Sequence, residues 1–502
     1  PVSADPVGHA SLASPALESL VDLRLIATSD LHASLLPYDY CANRAVSGRS
    51  LSEISRQIAT ARAQTANSLL FDNGDFLQGT PLADFVASRS RRRRAHPVIA
   101  AFNTLGYDAV TLGNHEFNYG VPFLTSALTD AQFPVVSANI VTRLGNSPLR
   151  DQTFVPPYAI LKRRVMDRDG RMHNLRIGVI GFAPPQIEVW DRDQVQGRIR
   201  MRDIIASARA WLPRLRARGA DVIVALAHTG IGSVEVEDGM ENAAAALASL
   251  PEVDAVIAGH CHQAFPGLGV PAAPGVDPML GLLAGKPAVM PGHSGSHLGV
   301  IDLVLTTTPA GPRRWKVASG SARLGVAAGQ ATTTARQLRK AIGPDHRAAL
   351  AWSRQVLGET RVPLHTHFAT VTPNAATDLI AGIKADHVRA ALAGTCWADL
   401  PVLASAAPFR SGGRSGAGSF TDVGPGTIRM RNVSELYLYP NSLVAVALTG
   451  AQLSDWLERS ASIFRQVMPG DQDVALHDDA VPGFAFEAIP DGKRLSARGI
   501  EV

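Results

Sequence analysis

Five clusters of Asp, Asn and His residues each follow a short apolar run: Asp30-Leu31-His32, Asp72-Asn73-Gly74-Asp75, Gly113-Asn114-His115-Glu116, His228, and Gly259-His260-Cys261-His262. Carboxylate, amide and imidazole donors without thiolate suit Zn²⁺, Mn²⁺, Fe²⁺ or Co²⁺, whereas Mg²⁺ alone does not demand so many imidazoles. Two such cations about 3.5–4 Å apart neutralise the oxygens of a phosphate ester and lower the pKa of a shared water. Each cluster alone has a plainer reading. Asp-x-His at a strand end is usually a turn or cap, Asp-Asn-Gly-Asp an Asx turn, and a single His a satisfied structural residue. Five in one chain, each closing an apolar run, are improbable as coincidence. Gly74 permits a turn that presents the Asp75 carboxylate as a bridge between cations. If residues 30–32 are extended, positions 30 and 32 face the same side and reach one cation. Cys261 alternates away from its two His neighbours and reads as a small packing residue.

The runs that must position these clusters are Leu23–Ala27, Ser68–Phe71, Ala109–Leu112, Leu175–Gly181, Val222–Ala227, Ala255–Ala258, Pro287–Met290 and Val300–Leu305. Helix-like segments Leu51–Ala63, Pro97–Leu105 and Met201–Arg218 lie between them. The first part therefore reads as α/β with buried strands and polar motifs at the strand ends, where such folds place active sites. Ala331–Leu357 reads as one long helix connecting two domains. The pattern then restarts: helix Ala376–Leu392, strand-like Leu400–Ala404, Gly-rich Gly412–Gly418, strand Leu443–Leu448 and helix Ala451–Ser460.

A chain of 502 residues exceeds what one core usually organises, which also points to two domains. No apolar run is long enough to span a bilayer, and mean hydropathy is only +0.06. The charge excess is small, 48 basic against 44 acidic residues, although the pI is about 9.1. Part of that excess is the run Arg91–Arg94, which has no interleaved aromatics and reads as a solvated loop rather than a nucleic-acid surface. Cys41, Cys261 and Cys396 are too few and too scattered for a disulfide framework.

The ordered set Asp-x-His, Gly-Asp, Gly-Asn-His-Glu, His and Gly-His-x-His resembles the calcineurin-like metallophosphoesterases. From about Val21 to Ile489 the chain looks like their 5′-nucleotidase family, closest to the bacterial 2′,3′-cyclic-nucleotide 2′-phosphodiesterase/3′-nucleotidases. The narrower likeness rests on Leu112–Gly120, Pro287–Leu298, Ala407–Arg414 and Asn432–Asn441. The resemblance implies a four-layer α/β/β/α sandwich followed by a smaller α/β nucleotide-binding domain. The corresponding division is a catalytic domain over 21–330, a linker helix over 331–357 and a substrate-binding domain over 358–502, while residues 1–20, small and Pro-containing without an apolar signal core, read from their composition as a trimmed or disordered leader. That last domain is expected to be cut short or divergent, because the family pattern continues beyond the Phe484 region.

Carried over by position, the resemblance implies that Asp30, His32, Asp75 and His262 hold one metal, and that Asp75, Asn114, His228 and His260 hold the other. Zn, Mn or Co is expected. It implies that His115 touches the phosphate. An Asp three positions later orients this His in 5′-nucleotidases proper, but Asn118 stands here, which favours the cyclic-phosphodiesterase branch. Arg410 and Arg414 would grip phosphate or ribose, and Tyr439 and Phe484 would clamp the base. The expected activity opens 2′,3′-cyclic nucleotides to 3′-nucleotides and dephosphorylates these, in a periplasmic or secreted monomer with a role in nucleotide catabolism. The rivals are a 5′-nucleotidase or nucleotide-sugar hydrolase, a dimanganese sulfur-oxidation hydrolase, and a catalytically silent nucleotide-binding surface protein.

Overall fold

A computed structural model describes residues 19–89, 94–308, 315–326, 333–370, 372–412, 419–439 and 441–461, and the backbone of 495–496 and 499–500. These fall into two compact units divided between Asp345 and His346, with residues 39–43 belonging to the second.

The first unit is built on two sheets. One has six strands in the spatial order Trp315–Val326, His297–Thr307, Leu20–Thr28, Ser68–Asp72, Ala109–Thr111 and Val135–Val136. Its last four strands run parallel to one another, so their carboxyl ends share one edge. The other sheet has eight strands, among which Met172–Phe182, Val222–Ala227, Ala255–Ala258 and Lys286–Pro291 are successive parallel neighbours. Strands buried on both faces read in the sequence as continuous apolar runs, and Val222–Ala227 is buried at every position.

Alternation along the strands divides their side chains between two cores. Leu23, Leu25, Leu69 and Phe71 of the first sheet meet Ile177, Val179, Val224, Leu226 and Ile257 of the second between the sheets. Ile180, Phe182, Ile223 and Ala225 point the other way, into a core completed by helix Ile204–Ala217 and helix Ala244–Ser249. On the outer side of the first sheet, helices Leu51–Ala63 and Pro97–Leu105 connect its parallel strands and bury Ile54, Ile58, Ile99 and Phe102. The result is the expected α/β/β/α sandwich. Local signals set these helix ends: Ser50 caps the first by accepting from the Glu53 amide. Pro97 opens the second, and Gly106 closes it at φ +65°.

The second unit contains helix Ala375–Leu392, capped by Asn374, and helices Met430–Leu436 and Gly450–Ala461. Two short antiparallel pairs join Val356–Thr360 to Gly426–Arg429 and Leu364–His365 to Asp422–Val423. Several boundaries differ from expectation. The long helix runs over Thr333–Ser353 and does not reach Leu357, because Val356–Thr360 pairs as a strand instead. The division between the units falls inside this helix, next to Pro344. Neither Leu400–Ala404 nor Leu443–Leu448 forms a strand. β-propensity fits a residue to a pleated surface but supplies no backbone partner, and among the described residues neither run has a strand beside it. No described helix is long and apolar enough to cross a membrane.

Candidate metal centre

The five clusters follow strands Leu20–Thr28, Ser68–Asp72, Ala109–Thr111, Val222–Ala227 and Ala255–Ala258, three in one sheet and two in the other. Their loops are joined by backbone hydrogen bonds. Asp30 and His32 donate their amides to Gly74 O and Asp75 O at 2.9 and 2.8 Å. The His260 amide donates to Asp30 Oδ1 at 3.0 Å, linking the two sheets. Glu116 is fully buried, and its carboxylate accepts from the amides of Gly113, Asp75, Phe76 and Leu77 at 2.6–3.1 Å. One side chain thus ties the second loop to the third.

The backbone here is strained. Asp30, His32, Asp75, His260 and His262 all have positive φ, between 48 and 70°. Non-glycine residues rarely adopt this region, and each such position costs of order 1 kcal/mol, supported by the surrounding structure. This corrects the extended geometry expected of residues 30 and 32. The strand stops at Thr28, and a left-handed turn, rather than alternation, sends both side chains inward. Two glycines admit the close approach. A Cβ on Gly113 would lie 2.6 Å from His228 Nε2, and one on Gly259 would lie 2.8 Å from Asp30 Oδ2.

The donor atoms form groups within 4.8 Å of one another: Asp30, His32 and His262; Asp75, His228 and His260; and His32, Asp75 and His115. Asn114 Oδ1 lies 3.0 Å from His260 Nδ1 and 3.3 Å from His228 Nε2. All seven residues expected as ligands are therefore brought together. Cys261 is not among them; its Sγ lies 3.3 Å from Asn242 Oδ1.

The donor set fits divalent cations. His32 Nδ1 lies 3.0 Å from Gln78 O, and His228 Nδ1 lies 2.7 Å from Asn73 O. A carbonyl only accepts, so each Nδ1 carries a hydrogen and each Nε2 faces inward, with a lone pair in His32 and with a hydrogen given to Asp75 in His228 that a bound cation would displace. His32 Nε2 is 2.9 Å from His262 Nε2, an approach of two ring nitrogens that a shared cation would relieve. Burial, reinforced by His115, lowers His32 to about 3, and burial with His32 holds His262 well below its usual range. Both are neutral and ready to ligate. Burial raises Asp30 to about 7. Burial opposes charge on Asp75 and His228 too, but each stabilises the other across 3.1 Å: Asp75 is held well below the carboxylate range and His228 is raised to about 10.

Residues outside the motifs support the ligands. His260 Nε2 lies 2.8 Å from Glu241 Oε1, and the Trp190 ring stacks on His260 at 5.5 Å. His293 stacks on His262 at 4.8 Å, with Arg49 Nη1 at 3.5 Å from its Nε2. The His115 amide donates to Asp75 Oδ1 at 2.8 Å, and its Nδ1 lies 2.6 Å from Asn118 Oδ1. Asn118 Nδ2 donates to Asp191, whose carboxyl burial raises to about 6. Glu116 lies in a recognised motif and His293 in the Pro287–Leu298 stretch, where both could be found; Glu241, Trp190 and Asp191 carry no such signal.

In the second unit Arg410 pairs with Glu435 at 3.2 Å, and the half-buried Tyr439 ring meets Phe409 edge-on at 5.5 Å. Arg414 and Phe484 lie outside the described residues, as do residues 91–93 of the arginine run.

A four-layer sandwich with such a donor set where its sheets meet is the arrangement of a metallophosphoesterase. The family model for calcineurin-like phosphoesterase matches residues 23–264, and that for the 5′-nucleotidase, C-terminal domain matches residues 377–491. The 2′,3′-cyclic-nucleotide 2′-phosphodiesterase/3′-nucleotidase of Yersinia enterocolitica is 37% identical over 462 residues, 90% of this chain and 70% of that protein. The trifunctional nucleotide phosphoesterase protein YfkN of Bacillus subtilis is 36% identical over 93% of this chain, which spans only 32% of it. The crystal structure of its calcineurin-like phosphoesterase part superposes with a TM-score of 0.61, covering 66% of this chain and 99% of that one. This chain belongs to the 5′-nucleotidase family of calcineurin-like phosphoesterases.

Proposed function

We propose that this chain is a phosphoric ester hydrolase that opens 2′,3′-cyclic nucleotides to 3′-nucleotides and removes the phosphate from the 3′-nucleotides. The observation that carries the reading is the convergence of seven nitrogen and oxygen donors from five loops of two sheets. The substrate class is supported by the likeness to the Yersinia protein over most of both chains. Asp30, His32, Asp75 and His262 would hold one divalent cation, and Asp75, Asn114, His228 and His260 the other, with zinc, manganese or cobalt suiting the donors. Such a pair supplies charge neutralisation at the phosphate oxygens and a water of lowered pKa.

The chain's own groups then do the following. Asp75 sits between the two donor groups and is held ionised. His115 Nε2 lies 4.0 Å from Asp75 Oδ2, where it would meet the transferring phosphate, steadying its oxygens or giving the leaving oxygen a proton. Arg410 and Arg414 would bind phosphate or ribose, and Tyr439 and Phe484 the base. Export to the periplasm or beyond belongs to the proposal through the family resemblance, and cell fractionation tests it.

Phosphate release from 2′,3′-cyclic AMP, 3′-AMP and 5′-AMP, each with Mn²⁺, Co²⁺ or Zn²⁺, tests the activity. Turnover of the first two is expected. Preference for 5′-AMP would favour a 5′-nucleotidase, and metal-loaded protein inert on all three would favour a silent nucleotide-binding role.

A further inference from the structure

His115 is held from behind by two residues in series. Its Nδ1 lies 2.6 Å from Asn118 Oδ1, and Asn118 Nδ2 donates to Asp191 Oδ1 at 2.7 Å. An amide has one accepting end and one donating end, and it can turn over to exchange them. With Asn118 alone, either end could face the ring. An NH₂ facing Nδ1 would deprive that nitrogen of its hydrogen; an oxygen facing Nδ1 holds one hydrogen there, so Nε2 is the nitrogen that takes up a proton and gives it at the phosphate. An ionised carboxylate only accepts, so Asp191 draws the NH₂ end toward itself and leaves the amide oxygen for the imidazole.

Among the described residues, nothing else accounts for a carboxylate at this place. Asp191 is 8% exposed and stands where helices Ile187–Trp190 and Arg192–Val195 meet, yet its side chain caps neither of them. Burying a carboxylate without using its charge is unfavourable. Among the described residues, the hydrogen bond its carboxylate makes is the one from Asn118.

We propose that Asp191 is a positioning residue for phosphate ester hydrolysis: through the Asn118 amide it fixes the ring orientation of His115 and keeps the hydrogen on Nδ1, leaving Nε2 toward the phosphate site. Two residues thereby perform what one carboxylate at position 118 would do by accepting from Nδ1 directly. The inference rests on the assignment of His115 to the phosphate.

The test is a set of exchanges in the full chain: Asp191→Asn, Asn118→Asp, and the two combined. Asp191→Asn is expected to lower kcat on 3′-AMP and on a small aryl phosphate by about 10–100-fold, with KM and metal content unchanged. The combined variant returns a carboxylate to the ring and an amide behind it, and is expected to recover most of the lost kcat. An Asp191→Asn variant with unchanged kcat, or a combined variant no better than Asp191→Asn, overturns the proposal. Nitrogen NMR of labelled histidine in zinc-loaded protein, with His115 assigned by its loss in His115→Ala, reads the tautomer without turnover. A hydrogen resident on Nδ1 in the parent and shared between both nitrogens in Asp191→Asn supports the proposal; identical spectra overturn it. His115→Ala with full turnover and bound metals would instead remove the assignment of His115, a result distinct from failure of the Asp191 exchanges.

Discussion

The two units bury their apolar residues very differently. In the first, the central strands are covered on both faces, and the loops that close them are bound to one another through backbone amides and the Glu116 carboxylate. In the second, among the described residues, the buried apolar cluster is Leu364, Ala376, Val423 and Leu436, while Leu443, Val444, Val446 and Leu448 are exposed. Metal chemistry requires donor atoms held within about 0.5 Å of their working positions. A ring face that meets a base tolerates far more. Under the proposed function, the chemistry would lie at the sheet ends of the first unit and recognition of the base in the second.

The largest effect is expected from Asp75→Asn, which preserves shape and removes the charge shared by both donor groups. Turnover on 3′-AMP and on a small aryl phosphate should fall together, by more than the roughly 10–100-fold that loss of an outer ligand partner costs. Metal content by elemental analysis should fall with it. Loss confined to nucleotides would break the division between the units.

Glu116→Gln sharpens the claim of rigidity. An amide offers one oxygen to the four backbone donors now satisfied, so stability should fall by about 1–3 kcal/mol for each donor left unpaired, read as a lower midpoint of urea unfolding. A variant with an unchanged midpoint would show that the loops are held by other means.

Tyr439→Ala addresses the second unit. Loss of one stacking partner corresponds to about 1–3 kcal/mol, so KM for 3′-AMP should rise roughly tenfold while aryl phosphate hydrolysis is untouched. Equal losses on both substrates would place Tyr439 in folding rather than recognition.

The smallest effect concerns the pH dependence of the first unit's stability. Burial raises Asp84 from 3.8 to about 6, against the opposing hydrogen bond from Tyr119. Between those values the folded chain retains a proton that the unfolded chain has lost. Its contribution to stability therefore declines as pH rises through that window and is constant above it. Asp84→Asn does not titrate, so the difference in midpoint between pH 4.5 and 6.5 should be smaller in the variant than in the parent.

Much of the frame is legible in local sequence pattern. Apolar runs located the central strands to within a few residues, because strands buried on both faces must be apolar throughout. Ser50, Pro97 and Gly106 marked helix ends, because capping and turn chemistry depend on chain neighbours. The order of the Asp, Asn and His motifs was legible because parallel strands deliver their trailing loops to one edge. Other features depend on contacts between segments distant in the chain. The left-handed turns at Asp30 and His32 arise where the first loop lies along the second. The partners Glu241 and Asp191 reach His260 and Asn118 across 19 and 73 residues of chain. Leu443–Leu448 has strand propensity but, among the described residues, no strand to pair with. Local pattern specifies what a segment can become; which nitrogen of a ring bears the hydrogen, and which backbone bears strain, follows from the neighbours that folding brings to it.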